Sequence, residues 1–153
     1  MTAAAPLLRL TAAQVNTLRG EAEAAYPLEC CGLVVGRHAG PATLVATRLV
    51  PAANRHADPR HAFDLDPAAH IALLRQLRGG GDEVLLGHYH SHPDSPAMPS
   101  ARDLAQANEP LAVWLIVPVK QGQAGAIAAW RARPGEGGVE GFDPLVVEVA
   151  ELP

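Results

Sequence analysis

Lysine is almost missing from this 153-residue chain. Lys120 is the only one, and the arginines are interspersed with Asp and Glu to a net charge of −4. With no basic stripe or cluster, nucleic acid is excluded as an expected partner. No apolar run approaches the ~20 residues that a membrane span requires, so no membrane partner is expected either. Met1 to Pro6 lacks the charged start and apolar stretch of a signal peptide, and the expectation is a soluble cytoplasmic protein. Cysteine is confined to the adjacent pair Cys30 and Cys31. Sequence neighbours rarely bridge, because the geometry is strained, so both are expected as free thiols in a reducing compartment. Two further absences narrow the chemistry. No His-Glu-x-x-His stretch occurs, and Gly79-Gly80-Gly81 is followed by Asp82 rather than by the lysine of a phosphate loop.

What is abundant is aliphatic. Apolar residues make up 48% of the chain, enough for a packed core, and the length suits one domain over 1–153. Leu8-Arg9-Leu10 reads as a short strand. Thr11 reads as the N-cap of a helix over 12–25 with Val15, Leu18, Ala22 and Ala25 on one face, and Tyr26-Pro27 ends it. Leu28 to Gly36 reads as a buried strand, pairing antiparallel with a second strand at 42–50. Pro51 to Asp66 is the least regular piece, with a short extended segment at His61–Leu65. Asp66 and Pro67 start a second helix whose apolar face is Ile71, Leu74 and Leu77. A strand over 83–89 leads into a histidine loop, and a short helix covers 100–108. Strands follow at 111–118 and 125–131, and an edge strand at 144–149. Helices alternating with sequence-adjacent strand pairs point to an α/β or α+β fold with a mixed sheet, and the expectation taken forward is α/β, a mixed, mostly antiparallel sheet flanked by helices.

The stretch from Gly87 to Asp103 carries the chemistry. Residues i and i+2 of an extended backbone point to one side, so His90 and His92 converge. A proline-rich loop then leads to Ser100 and Asp103. Two imidazoles and a carboxylate form a three-ligand set with a fourth position open, as in a catalytic zinc site. A plainer reading stands beside this one: histidines at a partly exposed strand end, and a Ser100–Asp103 capping box. Neighbouring signatures fail. A metallo-β-lactamase motif needs histidine where Ser95 stands, and a zinc deaminase needs its Cys-x-x-Cys pair downstream of the first ligand.

His90-Ser91-His92-Pro93, then Ser100, then Asp103 resembles the signature of the JAMM (MPN+) zinc metalloproteases. Glu29, ahead of the apolar-Gly-apolar run Cys31 to Gly36, matches the upstream glutamate of that family. The resemblance covers nearly the whole chain. It implies an MPN, cytidine-deaminase-like fold, one Zn²⁺ per chain on His90, His92 and Asp103, and hydrolysis of peptide or isopeptide bonds. Glu29 would be the general base and then acid, and Ser100 the oxyanion donor. Compact relatives of this kind suggest as partner the C-terminal tail of a ubiquitin-like or sulfur-carrier protein. A homodimer is compatible with the sequence. The segment 54–65 is expected to grip that tail as an added edge strand, with Phe63 and Leu65 in contact with it. For Phe63 the competing reading is a ring tucked into the core, and for Cys31 a buried, inert thiol. A non-catalytic scaffold of the same fold is the second functional reading.

Overall fold

Thr11 opens the first helix with a reciprocal capping box. Its hydroxyl accepts from the Gln14 N–H, and the Gln14 side chain accepts from the Thr11 N–H. The structure is a computed structural model describing residues 5–151. In chain order its elements are β1 (Leu7–Leu10), α1 (Ala12–Ala25), β2 (Cys31–His38), β3 (Thr43–Ala52), α2 (Pro67–Leu77), β4 (Val84–Pro93), α3 (Ala101–Gln106), β5 (Val113–Lys120), β6 (Gln123–Ala124), β7 (Ala128–Gly135) and β8 (Gly138–Val149). Among the described residues no helix is long and apolar enough to cross a membrane.

The sheet runs β4-β2-β3-β1-β8-β7-β5-β6, and β4 also pairs with β5, so seven strands close on themselves. The pairs β1–β3, β1–β8 and β4–β5 are parallel and the rest antiparallel. This is the expected mixed sheet. The parallel β4–β5 pair needs a crossover, and the 94–112 connection containing α3 supplies it. Gly87 lets the two strands approach, because a Cβ there would overlap the main chain of Val113.

Strand alternation divides the core. One side of the closed sheet gathers Leu8, Val34, Tyr89, Leu115 and Leu145 with Leu18 and Ala22 of α1. Tyr89 donates its hydroxyl to the Glu21 carboxylate at 2.9 Å, which satisfies the only polar atom of a fully buried ring. The other side carries two smaller clusters: Leu33, Val35 and Leu73 under α2, and Cys31, Phe63, Trp114 and Ala132 further along.

Several expected boundaries shift for identifiable reasons. β2 begins at Cys31 rather than Leu28, because the main chain of Glu29 bonds to a loop instead of a strand: its N–H donates to Pro59 O at 2.7 Å. β4 extends to Pro93, because its parallel pairing with β5 continues through His92↔Pro118 and Pro93↔Val119. The histidines therefore stand on a strand, not in a loop. α2 buries Leu73 against Leu33 and Val35 and packs Leu77 beside it as expected, while Ile71 and Leu74 are exposed. The expected apolar face is thus rotated from the one that packs. The expected extended segment at His61–Leu65 reduces to a single bridge, Asn54↔Leu65. The expected edge strand 144–149 is the end of twelve-residue β8, which lies between β7 and β1.

Candidate metal centre and adjoining cavity

His88, His90 and His92 alternate down one side of β4. Only the last two reach Asp103. His90 Nε2 lies 3.0 Å from His92 Nε2 and 3.5 Å from Asp103 Oδ1, and His92 Nε2 lies 3.1 Å from Asp103 Oδ2. All three side chains are buried. Asp103 arrives through a capping box. The Ser100 Oγ accepts from the Asp103 N–H at 3.0 Å, and Asp103 Oδ2 accepts from the Ser100 N–H at 2.9 Å. The capping arrangement and the convergence on the histidines therefore coexist in one carboxylate.

The proline-rich loop orients His92. Its Nδ1 donates to Pro96 O at 2.8 Å, which leaves Nε2 with a bare lone pair. The loop is pinned at both ends. Asp94 accepts from the Gln121 N–H and the Tyr26 hydroxyl, and Trp130 Nε1 donates to Ala97 O at 3.0 Å. His90 is held by stacking on Phe63, with ring centroids 4.4 Å apart, and by the edge of Trp114.

The electrostatics show what the cluster lacks. His92 Nε2 and Asp103 Oδ2 are both acceptors at hydrogen-bonding distance, and the two Nε2 atoms face each other. Such a group requires positive charge between its members, either a shared proton or a metal ion. Burial alone would raise Asp103, but the His90 and His92 imidazoles set against its carboxylate hold it far below the usual carboxylate range. Burial would lower His92, and contacts with Asp103 and Pro96 O outweigh it and raise it. Burial dominates at His90 and lowers it. Two imidazole nitrogens and one carboxylate fit a divalent ion of the zinc type with an open position.

That open side meets a cavity of about 310 Å³ lined by Glu29, His92, Ser100, Arg60, Met98 and others. Glu29 is 7% exposed, and its Oε1 is buried without a hydrogen-bond partner. Burial pushes it up to about 8, with His92 opposing. Ser100 spends its oxygen on the Asp103 N–H, and its own hydrogen is left to donate.

The remaining sequence candidates divide. His88 stays outside the ligand group. It packs on the Trp114 edge at 4.2 Å, burial pushes it down to about 3, and its Nε2 has no partner. Cys31 pairs with His90 across β2–β4 but is the buried thiol of the plainer reading. It is pushed up to about 12 by burial, with Sγ 3.7 Å from the carbonyls of Ala52 and Ala53. Phe63 is buried against His90, and Leu65 is half-buried in the same layer. The main chain at Ala62 and Asp64 is already bonded within the protein, to Asp58, Asn54 and Arg55. That stretch therefore offers no free edge for strand addition at those two residues. Sequence reasoning missed Ser91, whose hydroxyl accepts from the Cys30 N–H at 2.9 Å and ties Glu29's neighbour to the histidine strand. Its place between the two histidines, on the opposite parity, was the available signal. Asn54 and Pro96 O left none.

The family model described as prokaryotic homologs of the JAB domain matches residues 11–133. The chain belongs to that family, as the JAMM signature implied. It is 39% identical over 90 residues to a desampylase of Haloferax volcanii (59% of this chain, 62% of the relative). It is 40% identical over 81 residues to a probable TtuB-protein conjugate cleaving protease of Thermus thermophilus (53% and 50%). The chain thus spans between half and two thirds of the length of these relatives. A CysO-cysteine peptidase of Mycobacterium tuberculosis is 27% identical over 129 residues, covering 84% of this chain and 85% of the relative. The solution structure of a Desulfitobacterium hafniense protein superposes with a TM-score of 0.79 at 28% identity, over 95% and 94% of the two chains.

Proposed function

We propose that the protein is a zinc-dependent peptidase or isopeptidase that cleaves at the C-terminal tail of a small ubiquitin-like protein of the sulfur-carrier kind. The observation that carries this reading is the convergence of His90 Nε2, His92 Nε2 and the Asp103 carboxylate beside a cavity that also holds a partnerless Glu29 and the Ser100 hydroxyl. The names of the three relatives supply the substrate class. A scaffold would have no use for a buried, unsatisfied carboxyl beside such a group, since an unpaired polar atom only costs stability.

His90, His92 and Asp103 hold the ion. When bound, zinc supplies the charge that polarises a carbonyl and acidifies water. Glu29 accepts a proton from the attacking water and returns it to the leaving amine, a task suited to a carboxyl raised toward neutrality. Ser100 donates to the oxygen that gains charge in the transition state. Pro96 O and Phe63 keep the two imidazoles aimed.

We assign the tail to a second groove, which shares no lining residue with the cavity at Glu29. Two adjoining cavities, of about 700 and 430 Å³, share Leu33, His70, His88 and Ala112 between α2 and the 107–112 loop. Phe63, Asp64 and Leu65 wall the part nearer His90, and the exposed Leu74, Val84 and Leu111 line the rest. An extended apolar-and-glycine tail fits this groove, with Phe63 and Leu65 as wall contacts rather than as an added strand. The test is a linear fusion of a ubiquitin-like carrier, ending in Gly-Gly, to a reporter. Zinc-loaded protein should cut after the terminal glycine, and Glu29→Gln should retain zinc and lose cleavage. Cleavage by Glu29→Gln at the wild-type rate, or none by zinc-loaded wild type on any such fusion, would overturn the reading.

A further inference from the structure

Glu29 projects its carboxyl into the cavity with no side-chain hydrogen bond to hold it. Its aim therefore depends on its main chain, and that main chain lies outside the sheet. The Glu29 N–H donates to Pro59 O at 2.7 Å, and the Glu29 carbonyl accepts from Asn54 Nδ2 at 3.0 Å. Both anchors belong to the irregular stretch between β3 and α2.

Asn54 organises that stretch. Its Nδ2 also donates to Ala62 O at 3.0 Å, and its Oδ1 accepts from the N–H groups of His56 at 3.1 Å and Asp64 at 3.0 Å. Two donated and two accepted bonds are the full capacity of a primary amide. The main chain of Asn54 forms the bridge to Leu65. One side chain thus ties His56, Ala62 and Asp64 together, closing the loop that carries Pro59 O against Glu29 N and Phe63 against His90. No other residue type supplies two donors and two acceptors in that plane at that length; aspartate offers acceptors alone.

We infer that Asn54 is a positioning residue for Glu29. It fixes the peptide from which the unsupported carboxyl projects, and so sets the distance over which the proton is transferred. The inference rests on the reading of Glu29 as the proton acceptor. The side-chain hydrogen bonds of Asn54 all go to main chain, and it acts through the segment it clamps.

The test replaces Asn54 by Asp, which keeps the shape but turns both donors into acceptors facing the carbonyls of Glu29 and Ala62. On the fusion substrate, kcat should fall about 10–100-fold, as displaced supporting groups typically cause, while KM stays within about twofold. Zinc should remain at one per chain. The residual cleavage by Glu29→Gln, read at high enzyme concentration, should fall no further on adding the same substitution, because the group it positions is gone. An independent readout uses metal-free protein. Amide exchange at Glu29 should accelerate by at least about tenfold, while exchange at Leu115 in β5 stays slow. If Asn54→Asp loses protection at Leu115 as well, Asn54→Ser, which keeps one donor, goes through the same measurements. Unchanged kcat, an equal further loss in the Glu29→Gln background, or unaltered exchange at Glu29 would each overturn the assignment. If wild-type protein cleaves no fusion, the function proposed above fails, and the exchange measurement still decides whether Asn54 holds Glu29.

Discussion

Replacing Glu29 by glutamine in metal-free protein should change the pH dependence of stability in a defined direction. Burial raises the Glu29 carboxyl from 4.5 to about 8 in the folded protein. Below pH 4.5 the group is neutral whether folded or not, and burial is cheap. Between 4.5 and 8 the unfolded chain releases a proton that the folded chain retains, so the wild type loses stability as pH rises through that window and loses no more above it. At about 1.4 kcal/mol per pH unit the full shift corresponds to at most ~5 kcal/mol. The carboxyl borders a cavity open to water, and screening there reduces the figure to about 2–3 kcal/mol. Glutamine cannot ionise. The stability of Glu29→Gln relative to wild type should therefore grow by about 2–3 kcal/mol between pH 4.5 and 9. His90, His92 and Asp103 titrate in both proteins and largely cancel in the difference. Urea unfolding with chelator present, at four pH values across this range, measures it. A difference that is flat with pH, or that shrinks as pH rises, would refute the claim that Glu29 is a desolvated, unpaired carboxyl.

Ser100→Ala should cost about 1 kcal/mol of stability through the lost N-cap and, in the fusion assay, about 10²–10³ in kcat through the lost oxyanion donor; a stability loss with unchanged kcat would leave Ser100 as a cap alone. Leu73→Ala should destabilise by about 2–4 kcal/mol, because it empties the cluster between α2 and β2, and Ile71→Ala on the exposed face should stay within about 0.5 kcal/mol. Thermal or urea unfolding separates the two, and equal losses would mean that α2 packs on the face first expected.

Local signals carried much of the fold. Thr11 and Asp66 cap their helices as the sequence suggests, because a capping side chain acts on main chain within three residues. Strand parity and a short loop are local geometry and let His90, His92 and Asp103 converge, and the resemblance to the JAMM signature chose that reading over exposed histidines beside a capping box. What stayed hidden depends on distant partners. The closure of the sheet through β4–β5, the extension of β4 past Tyr89 and the interior position of β8 are set by pairings across 25 residues or more. The rotation of α2 follows from where β2 lies, which its own period cannot reveal. Asn54 was just a polar loop residue until the carbonyls of Glu29 and Ala62 were placed on either side of its amide.

The most direct test of a metal-dependent hydrolase built on His90, His92 and Asp103 is a zinc titration of metal-free protein, read as cleavage of the carrier–reporter fusion. Activity should rise from background in proportion to added zinc and break at one equivalent per chain, and Asp103→Asn should show no break at the same concentrations. Cleavage that is full before zinc is added and unaffected by chelator, or a break that survives in Asp103→Asn, would contradict it.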